Sequence, residues 1–275
     1  MNETTSEKKE KLYPLLLSNI VFVKDRDIKG IYIIAKNVPG ALAEITSLFA
    51  RYNLNIISIN FTPSVRKEED IPLFFTIDFT NSTMKLENIV SKLKSLEKVS
   101  DAWAVKPYIR GSLLVDEIHF PIIDNTGSRL LILCEENMKL FVVGMRERFG
   151  NVGLTLLYFQ GEITGKILAE RYMDLGLKNL EDGLTFLLLN SFSLGRYRGE
   201  IIEFSIERRR IIIRLYDSWE CVTAKKHEIE GPASHFERGI FAGFIKRYLN
   251  TEVTVIETKC LASGDPYCEF DVTIE

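Results

Sequence analysis

Residues that commonly bind metals or carry nucleophilic chemistry are scarce in this chain. Its 275 residues include 4 cysteines and 3 histidines, and the cysteines are scattered rather than arranged as a disulfide framework. The opening stretch MNETTSEKKEKLYPLLL is polar and charged before it becomes apolar, which is unlike a secretory signal peptide. We therefore expect a cytoplasmic protein with reduced thiols, in which paired cysteines meet a metal more often than each other.

Long apolar runs and a surplus of positive charge are missing as well. No stretch of about 18 uninterrupted apolar residues is present, so we expect no membrane span. The formal net charge is -3, which argues against the broad basic surface that nonspecific nucleic-acid binding requires. We therefore expect no direct nucleic-acid partner.

Signatures of common catalytic sites are absent too. The chain has no G-x-x-x-x-G-K-[ST] loop, no G-x-G-x-x-G after a strand, no G-x-S-x-G elbow and no H-E-x-x-H helix. None of His119, His227 and His235 stands in a recognisable catalytic frame. The sequence therefore predicts no catalytic residue, and it favours a binding protein over an enzyme.

The first part of the chain contains a regular alternation of strand and helix patterns between Gly30 and Tyr108. Strand-like runs rich in β-branched and aromatic residues alternate with two segments that repeat apolar residues at helical spacing. Their order, β-α-β-β-α-β, predicts a ferredoxin-like sandwich of two helices on an antiparallel sheet. The first helix is predicted to bury a stripe made of Leu42, Ile45, Leu48, Phe49 and Tyr52.

The segment NVPGALAEITSLFARYNLNIISI resembles the ACT domain, a small regulatory module common in amino-acid metabolism. The resemblance rests on the turn of Pro39 and Gly40 after the first strand, on Leu42 two residues later, and on Asn55-Ile56 at the start of the second strand. It covers about residues 30–108 and implies an amino-acid effector, bound at this loop across an interface between two such domains. The loop residues that this implies are Asn37, Val38, Pro39, Gly40, Ala41 and Leu42.

Elementary chemistry agrees with a ligand at this loop. A glycine permits close approach of the backbone, and the N-terminus of a helix offers free N–H groups to a carboxylate. The alternative is that the loop only shapes the sandwich and its dimer contact.

The second part of the chain reads as helices followed by an antiparallel sheet, again an α+β arrangement. GEIIEFSIERRRIIIRLYDSWEC is predicted to be a hairpin, and Gly239 and Gly243 are predicted to let their helix pack close to the sheet or to its twin in a dimer. Cys134 is predicted to lie in the core. We expect four segments: an N-terminal segment at residues 1–29, the ACT domain at 30–108, a connector at 109–126 and the second domain at 127–275.

This second domain resembles the vinyl-4-reductase domain through LYFQGEITGK, YDSWEC, HFERGIFAGF and ETKCLASGDPYCEF. The same fold serves as the effector-sensing domain of bacterial regulators of aromatic catabolism. The resemblance therefore implies a small apolar or aromatic ligand, and it covers about residues 127–275.

The last of these stretches places Cys260 and Cys268 on either side of a Gly-Asp-Pro turn. A strand-turn-strand brings two thiols together, and zinc prefers thiolate ligands. Zinc-binding members of the resembled family hold the metal with three cysteines and a glutamate. The resemblance places these on Glu257, Cys260 and Cys268, but it places the third cysteine at Ser234.

We therefore predict a structural zinc held by Glu257, Cys260, Cys268 and either His235 or Cys221. Glu257 lies three residues before Cys260, so on an ideal strand the two would point to opposite faces and a bulge or twist is required. The alternative is that the cysteines only pack as small apolar side chains.

These features together predict a ligand-sensing regulatory protein. It would bind an amino acid through the first domain and a small apolar or aromatic molecule through the second. We expect a homodimer, paired through the ACT sheets or the apolar GIFAGF helix face, whose output passes through an unidentified protein partner. The alternatives are an enzyme or enzyme-assembly subunit acting on a pigment-like or aromatic substrate, and a protein-interaction scaffold.

Overall fold

The computed structural model of the protein describes residues 14–15, 17, 19–22, 26–62, 69–109, 113–124, 127–229 and 231–275. Contacts between Cα atoms divide the chain into two compact units, Met1–Leu131 and Ile132–Glu275. The finer division at residues 29, 108 and 126 stays a prediction. Each unit has its own apolar core.

The first unit has the predicted ferredoxin-like order. Its sandwich contains β2 (Ile28–Lys36), α1 (Ala41–Arg51), β3 (Asn55–Phe61), β4 (Asp70–Asp78), α2 (Leu86–Lys94) and β5 (Val99–Ala104). The sheet order is β3-β4-β2-β5, and every neighbouring pair is antiparallel. The two short strands β1 (Ile20–Phe22) and β6 (Leu113–Val115) pair with each other.

One face of this sheet and the inner faces of α1 and α2 form the core of the first unit. Ile45 and Phe49 of α1, Phe75 of β4 and Ile89 of α2 are each at most 1% exposed. Leu42 was predicted to belong to the same stripe, but it is 48% exposed. The prediction is wrong because this residue lies in the first turn of α1 and faces solvent beside the Pro-Gly loop.

The second unit begins with α3 (Glu135–Lys139), a π-helical turn (Leu140–Gly144) and α4 (Met145–Asp174). The remaining elements are α5 (Leu180–Ser193), β7 (Arg198–Ser205), β8 (Arg210–Tyr216), α6 (Trp219–Lys226), α7 (His235–Leu249), β9 (Val253–Lys259), a short 3-10 turn (Leu261–Ser263) and β10 (Cys268–Ile274). The four strands form one antiparallel sheet in the order β7-β8-β10-β9.

The predicted hairpin is confirmed for β7 and β8, but its end is wrong. The chain leaves the sheet at Asp217, whose φ of 54° is left-handed, and α6 begins at Trp219. The stretch WEC is therefore helical rather than extended, and this difference moves Cys221 off the sheet and onto a helix.

The glycines of α7 pack against α4 of the same chain, rather than against the sheet or a twin. An added Cβ at Gly239 would lie 2.1 Å from the carbonyl oxygen of Tyr158, and one at Gly243 would lie 1.9 Å from that of Glu162. On α4, Gly161 and Gly165 meet the α7 backbone in the same way. The two helix backbones therefore touch, which only glycine permits at these positions.

Two further observations concern the described residues. Cys134 is exposed immediately before α3, so its predicted place in the core is wrong: the chain from 132 to 134 is irregular and solvent-facing. Among the helices that the structure describes, none combines the length and the apolar character that crossing a membrane would require.

Candidate functional site

Four side chains with metal-binding chemistry meet inside the second unit. Cys221 comes from α6, Glu257 from β9, Cys260 from the residue after β9, and Cys268 from the start of β10. One ligand atom from each lies within 4.8 Å of all the others, and all four residues are buried. We call these residues the cysteine–glutamate group.

A bulge in β9 brings Glu257 and Cys260 to the same side of the sheet. Glu257 pairs with Phe270 and Lys259 pairs with Glu269, so that Thr258 is an extra residue on β9. Because one inserted residue reverses the alternation of side chains, two residues that are three apart now share a face. The bulge is the irregularity that the sequence required.

The turn between the two cysteines is held by its own aspartate. The carboxylate of Asp265 accepts a hydrogen bond from the N–H of Cys260 at 2.8 Å, and the N–H of Asp265 donates back to the carbonyl of Cys260 at 3.2 Å. Gly264 takes the left-handed conformation that the turn needs, with φ of 99°. The predicted pairing of Cys260 and Cys268 across the Gly-Asp-Pro turn is therefore confirmed.

Of the two candidates for the fourth position, the structure brings Cys221 into the group. Its Sγ lies 3.4 Å from Sγ of Cys260 and 3.5 Å from Oε1 of Glu257. The hydroxyl of Ser234 lies 2.9 Å from the same Sγ, and the N–H of Ser234 donates to Oε2 of Glu257 at 3.1 Å. Ser234 thus borders the group, and the thiol it lacks is supplied from α6.

His235 is not a member of the group. Its ring atom Nε2 is buried and has no hydrogen-bond partner among the described residues. Burial, followed by the charges of Arg238 and Arg146, lowers the pKa of His235 to about 4. The imidazole is therefore neutral at pH 7, and a role for it as ligand stays a prediction.

The pKa values of the cysteine–glutamate group are shifted because its acidic side chains are buried close to one another. Hydrogen bonds from Cys221 and Cys268 lower the pKa of Cys260. The hydrogen bond between Cys221 and Cys260 in turn raises the pKa of Cys221. Burial, and then the charge of Cys260, raise the pKa of Glu257 to about 7. Several buried anions cannot coexist at this distance without compensation, so full ionisation of the group requires a cation among its atoms.

Buried carboxylates position α6, which carries Cys221, against α7. Both oxygens of Glu220 accept backbone hydrogen bonds at the start of α7, from the N–H of Phe236 at 3.0 Å and from that of Glu237 at 2.9 Å. The carboxylate of Glu237 in turn accepts from Arg196 at 2.6 Å and from Trp219 at 2.7 Å. Sequence reasoning missed this network, although Glu237 within the apolar helix pattern of HFERGIFAGF was a visible signal.

The six predicted effector-binding residues form one turn at the N-terminus of α1. Gly40 is left-handed, with φ of 85°, and immediately precedes the helix. Pro39 and Gly40 are exposed, whereas Ala41 is buried. The ammonium of Lys98, from the residue before β5, donates to the carbonyl of Pro39 at 3.3 Å. Sequence reasoning did not identify Lys98, because it lies 59 residues from Pro39 along the chain.

Family comparisons agree with this geometry. The family model for the ACT domain matches residues 30–98, and that for the vinyl-4-reductase domain matches residues 212–274. The chain carries an ACT domain and a vinyl-4-reductase domain. The cysteine–glutamate group lies within the vinyl-4-reductase domain, and the loop from Asn37 to Leu42, which we call the effector loop after its predicted role, lies within the ACT domain. Together the two domains support a role as a regulatory sensor.

Two uncharacterized proteins of Methanocaldococcus jannaschii are relatives of this chain. One is 32% identical over 126 residues, which are 44% of this chain and 64% of the relative. The other is 29% identical over 132 residues, which are 48% of this chain and 71% of the relative. The chain therefore spans a little under two thirds of the length of the first relative.

Three solved structures are similar at low sequence identity. The phenol-responsive sensory domain of the transcription activator PoxR, solved with phenol, is 14% identical with a TM-score of 0.49, over 70% of this chain and 91% of that one. A vinyl-4-reductase family protein from Methanocaldococcus jannaschii is 20% identical, with a TM-score of 0.37, over 53% and 84%. The ACT domain of GTP pyrophosphokinase from Chlorobium tepidum is 20% identical, with a TM-score of 0.25, over 29% and 99%. These scores are too low to transfer a function.

Proposed function

We propose that the protein is a ligand-sensing regulator whose ACT domain binds an amino acid at the loop from Asn37 to Leu42. The observation that carries this proposal is the position of Lys98, whose ammonium lies at the exposed turn of Pro39 and Gly40. The N–H of Ala41 donates to the carbonyl of Val38 at 3.2 Å, whereas the N–H groups of Leu42 and Ala43 precede the first hydrogen bond of α1 and have no partner within the helix. A carboxylate bound there would accept hydrogen bonds from these groups and would pair with the lysine.

A thermal-shift screen of the full chain against the common amino acids, each at millimolar concentration, tests this proposal. We expect one amino acid, or a few of related structure, to raise the melting temperature, because a ligand that binds only the folded state stabilises it. A melting temperature that no amino acid changes would contradict the proposal. Aromatic acids and phenols run beside them probe the second domain.

For the vinyl-4-reductase domain, we propose a small apolar or aromatic ligand. The match to the family model supports this assignment. The core between the helices and the sheet is rich in aromatic rings; Tyr172, for example, packs edge-on against Phe186 and Phe244. Such surroundings suit an apolar molecule better than a charged one.

We also propose that the cysteine–glutamate group holds a structural zinc. Three thiolates and one carboxylate form a donor set that zinc accepts, and four protein ligands close its tetrahedral shell. The metal would tie α6 to β9 and β10. A closed shell leaves no position for water or substrate, so this metal would stabilise the domain and would not take part in a reaction.

The remaining features of the proposed sensor are its assembly and its output. We expect it to act as a homodimer in the cytoplasm and to pass its signal to a partner protein. Its free cysteines suit a reducing compartment.

A further inference from the structure

The helix α4 is apolar on two opposite sides. One side packs against α7 through Gly161 and Gly165. The other side carries five large apolar residues that are each between 46% and 65% exposed. A surface helix normally presents polar side chains to water, and a helix that is apolar all round is normally buried. We call the exposed residues the α4 stripe: Val152, Leu156, Phe159, Ile163 and Ile167.

The size of this surface fits a protein interface. At about 200 Å² for a large side chain, the stripe and the neighbouring Phe149, itself 53% exposed, leave roughly 600 Å² of apolar surface. This lies at the upper end of the range for apolar patches on monomers. It approaches the roughly 800 Å² that each partner of a stable complex buries, once the polar rim is added.

Four of the five stripe residues are symmetric in their order along the helix. Val152, Leu156, Phe159 and Ile163 follow one another at intervals of four, three and four residues, the spacing of a coiled-coil seam. The midpoint of this pattern lies between residues 157 and 158. A two-fold axis at the midpoint would place Val152 opposite Ile163 of the partner subunit, and Leu156 opposite Phe159 of the partner subunit.

The polar residues beside the seam leave no like charges facing each other. Thr155 and Gln160 are both exposed and lie on opposite sides of the seam, and the two-fold axis of an antiparallel pair keeps each side of one helix beside the same side of the other. The axis would therefore place Thr155 beside Glu162 of the partner subunit, whose side chain is 30% exposed. Like charges facing each other across a two-fold axis would repel, whereas a glutamate beside a threonine does not.

We propose that the α4 stripe is the contact surface of a homodimer, in which α4 packs antiparallel against α4 of a second copy. This deepens the proposed function, on which it rests for the sensor being a dimer. It assigns the contact to a surface other than the two expected from the sequence. The GIFAGF helix is already covered in part, because its glycines pack on α4 of their own chain.

The mass of the full chain in solution tests the surface. Size-exclusion chromatography with light scattering at micromolar concentration should give twice the chain mass of 31.5 kDa. Leu156→Glu should halve the mass of the particle, with a dissociation constant raised at least about 30-fold, as for a central interface residue. Leu189→Glu is the control, because Leu189 lies on α5 and is 61% exposed, and its mass should equal that of the wild type.

Two outcomes of this experiment would overturn the proposal. The first is a wild-type chain with the mass of a monomer, whatever other partner then covers the stripe. The second is a Leu156→Glu variant that is folded by circular dichroism and keeps the wild-type mass, because the association would then use another surface.

Two charge variants of Thr155 test the antiparallel register. Thr155→Glu would place a like charge beside Glu162 of the partner subunit and should weaken the dimer. Thr155→Lys would place an opposite charge there and should keep it. Thr155 is exposed, so the two variants differ little as monomers. If both variants weaken the dimer alike, or neither does, the antiparallel register is wrong.

The thermal shift caused by an amino acid and the mass of the particle test the effector site and the dimer interface independently. An amino-acid thermal shift that is absent while the dimer is intact would contradict the effector and leave the interface supported. A shift that persists in a wild-type monomer would contradict the interface and leave the effector supported.

Discussion

The cysteine–glutamate group and the effector loop are built in opposite ways. The group takes its members from three elements between Cys221 and Cys268 and buries all of them. The loop takes six consecutive residues, Asn37 to Leu42, and leaves the turn of Pro39 and Gly40 exposed. The group is assembled only when the domain is folded, whereas the loop is a turn on the surface of the sandwich.

This difference in burial predicts which property a substitution in each region should change. A buried group of acidic side chains is coupled to folding, because the unfolded chain cannot gather its ligands. An exposed turn contributes little to the core, so its substitution should change ligand affinity more than stability. Metal content and melting temperature should therefore respond at the group, and effector binding should respond at the loop.

The largest effect is expected from Cys268→Ser. Loss of one thiolate would open the proposed metal shell and leave the other buried acidic groups uncompensated, which should lower the free energy of unfolding by roughly 3–5 kcal/mol. The melting temperature should then fall by about 10 °C or more. Mass spectrometry of protein purified without chelator should find about one zinc per wild-type chain and none in the variant.

Cys134→Ser is the matched control, because Cys134 is a free and exposed thiol outside the group. It should keep both the metal and the melting temperature. A wild-type protein that is free of metal, with a melting temperature unchanged in Cys268→Ser, would show that the cysteines only pack.

The second largest effect is expected from exchanging the side chains of Cys221 and Ser234, which tests Cys221 as the fourth metal ligand. Cys221→Ser should lose the metal, and the double variant Cys221→Ser with Ser234→Cys should regain it at least in part. The reason is that Ser234 Oγ lies 2.9 Å from Cys221 Sγ, so a thiol at either position borders the same space. Metal content and melting temperature of both variants are the measurements.

His235→Ala completes this test. It should keep the metal, because His235 stands outside the group. If His235→Ala loses the metal and Cys221→Ser keeps it, the imidazole is the fourth ligand and the thiol is not.

At the effector loop, Gly40→Asp should abolish the thermal shift caused by an amino acid. The new side chain is strained at a φ of 85°, and its carboxylate would repel that of the ligand. We expect affinity to fall at least about 30-fold by calorimetry, given two unfavourable effects of about 1 kcal/mol or more each. Zinc content should stay at the wild-type value, and a shift that survives would place the ligand elsewhere.

The smallest effect is expected from Lys98→Ala. A partly exposed ion pair contributes about 1 kcal/mol or less, so the affinity for the amino acid should fall about threefold to fivefold. Lys106→Ala is the control, because Lys106 is exposed in the same compact unit. Equal affinities in Lys98→Ala and the wild type would remove the lysine from the site.

Local patterns explain why much of the fold was predictable. The apolar spacing of Ile45, Leu48 and Phe49 predicts a buried helix face, and these residues are buried. Asp217 was not predictable in the same way: its left-handed conformation ends β8 and starts a helix where the alternation suggested a strand. A single residue with unusual φ has no periodic signal, although aspartate tolerates this conformation better than most residues.

Long-range packing explains what was missed. Lys98 reaches Pro39 across 59 positions of the sequence, and nothing near either residue indicates the other. The same is true of the α4 stripe, because its apolar residues and the glycines facing α7 belong to one helix. Only the packing of α7 shows which side remains exposed.

The sequence by itself determined the order of elements in the ACT sandwich and the pairing of Cys260 with Cys268, because both depend on residues close together along the chain. The tertiary structure decided that Cys221 joins them, since this requires α6 to be anchored on α7 by Glu220. It also decided that Glu257 shares their face, through one unpaired residue in β9. A turn is specified by a few local dihedral angles, whereas the meeting of a helix with two strands depends on how the whole domain packs.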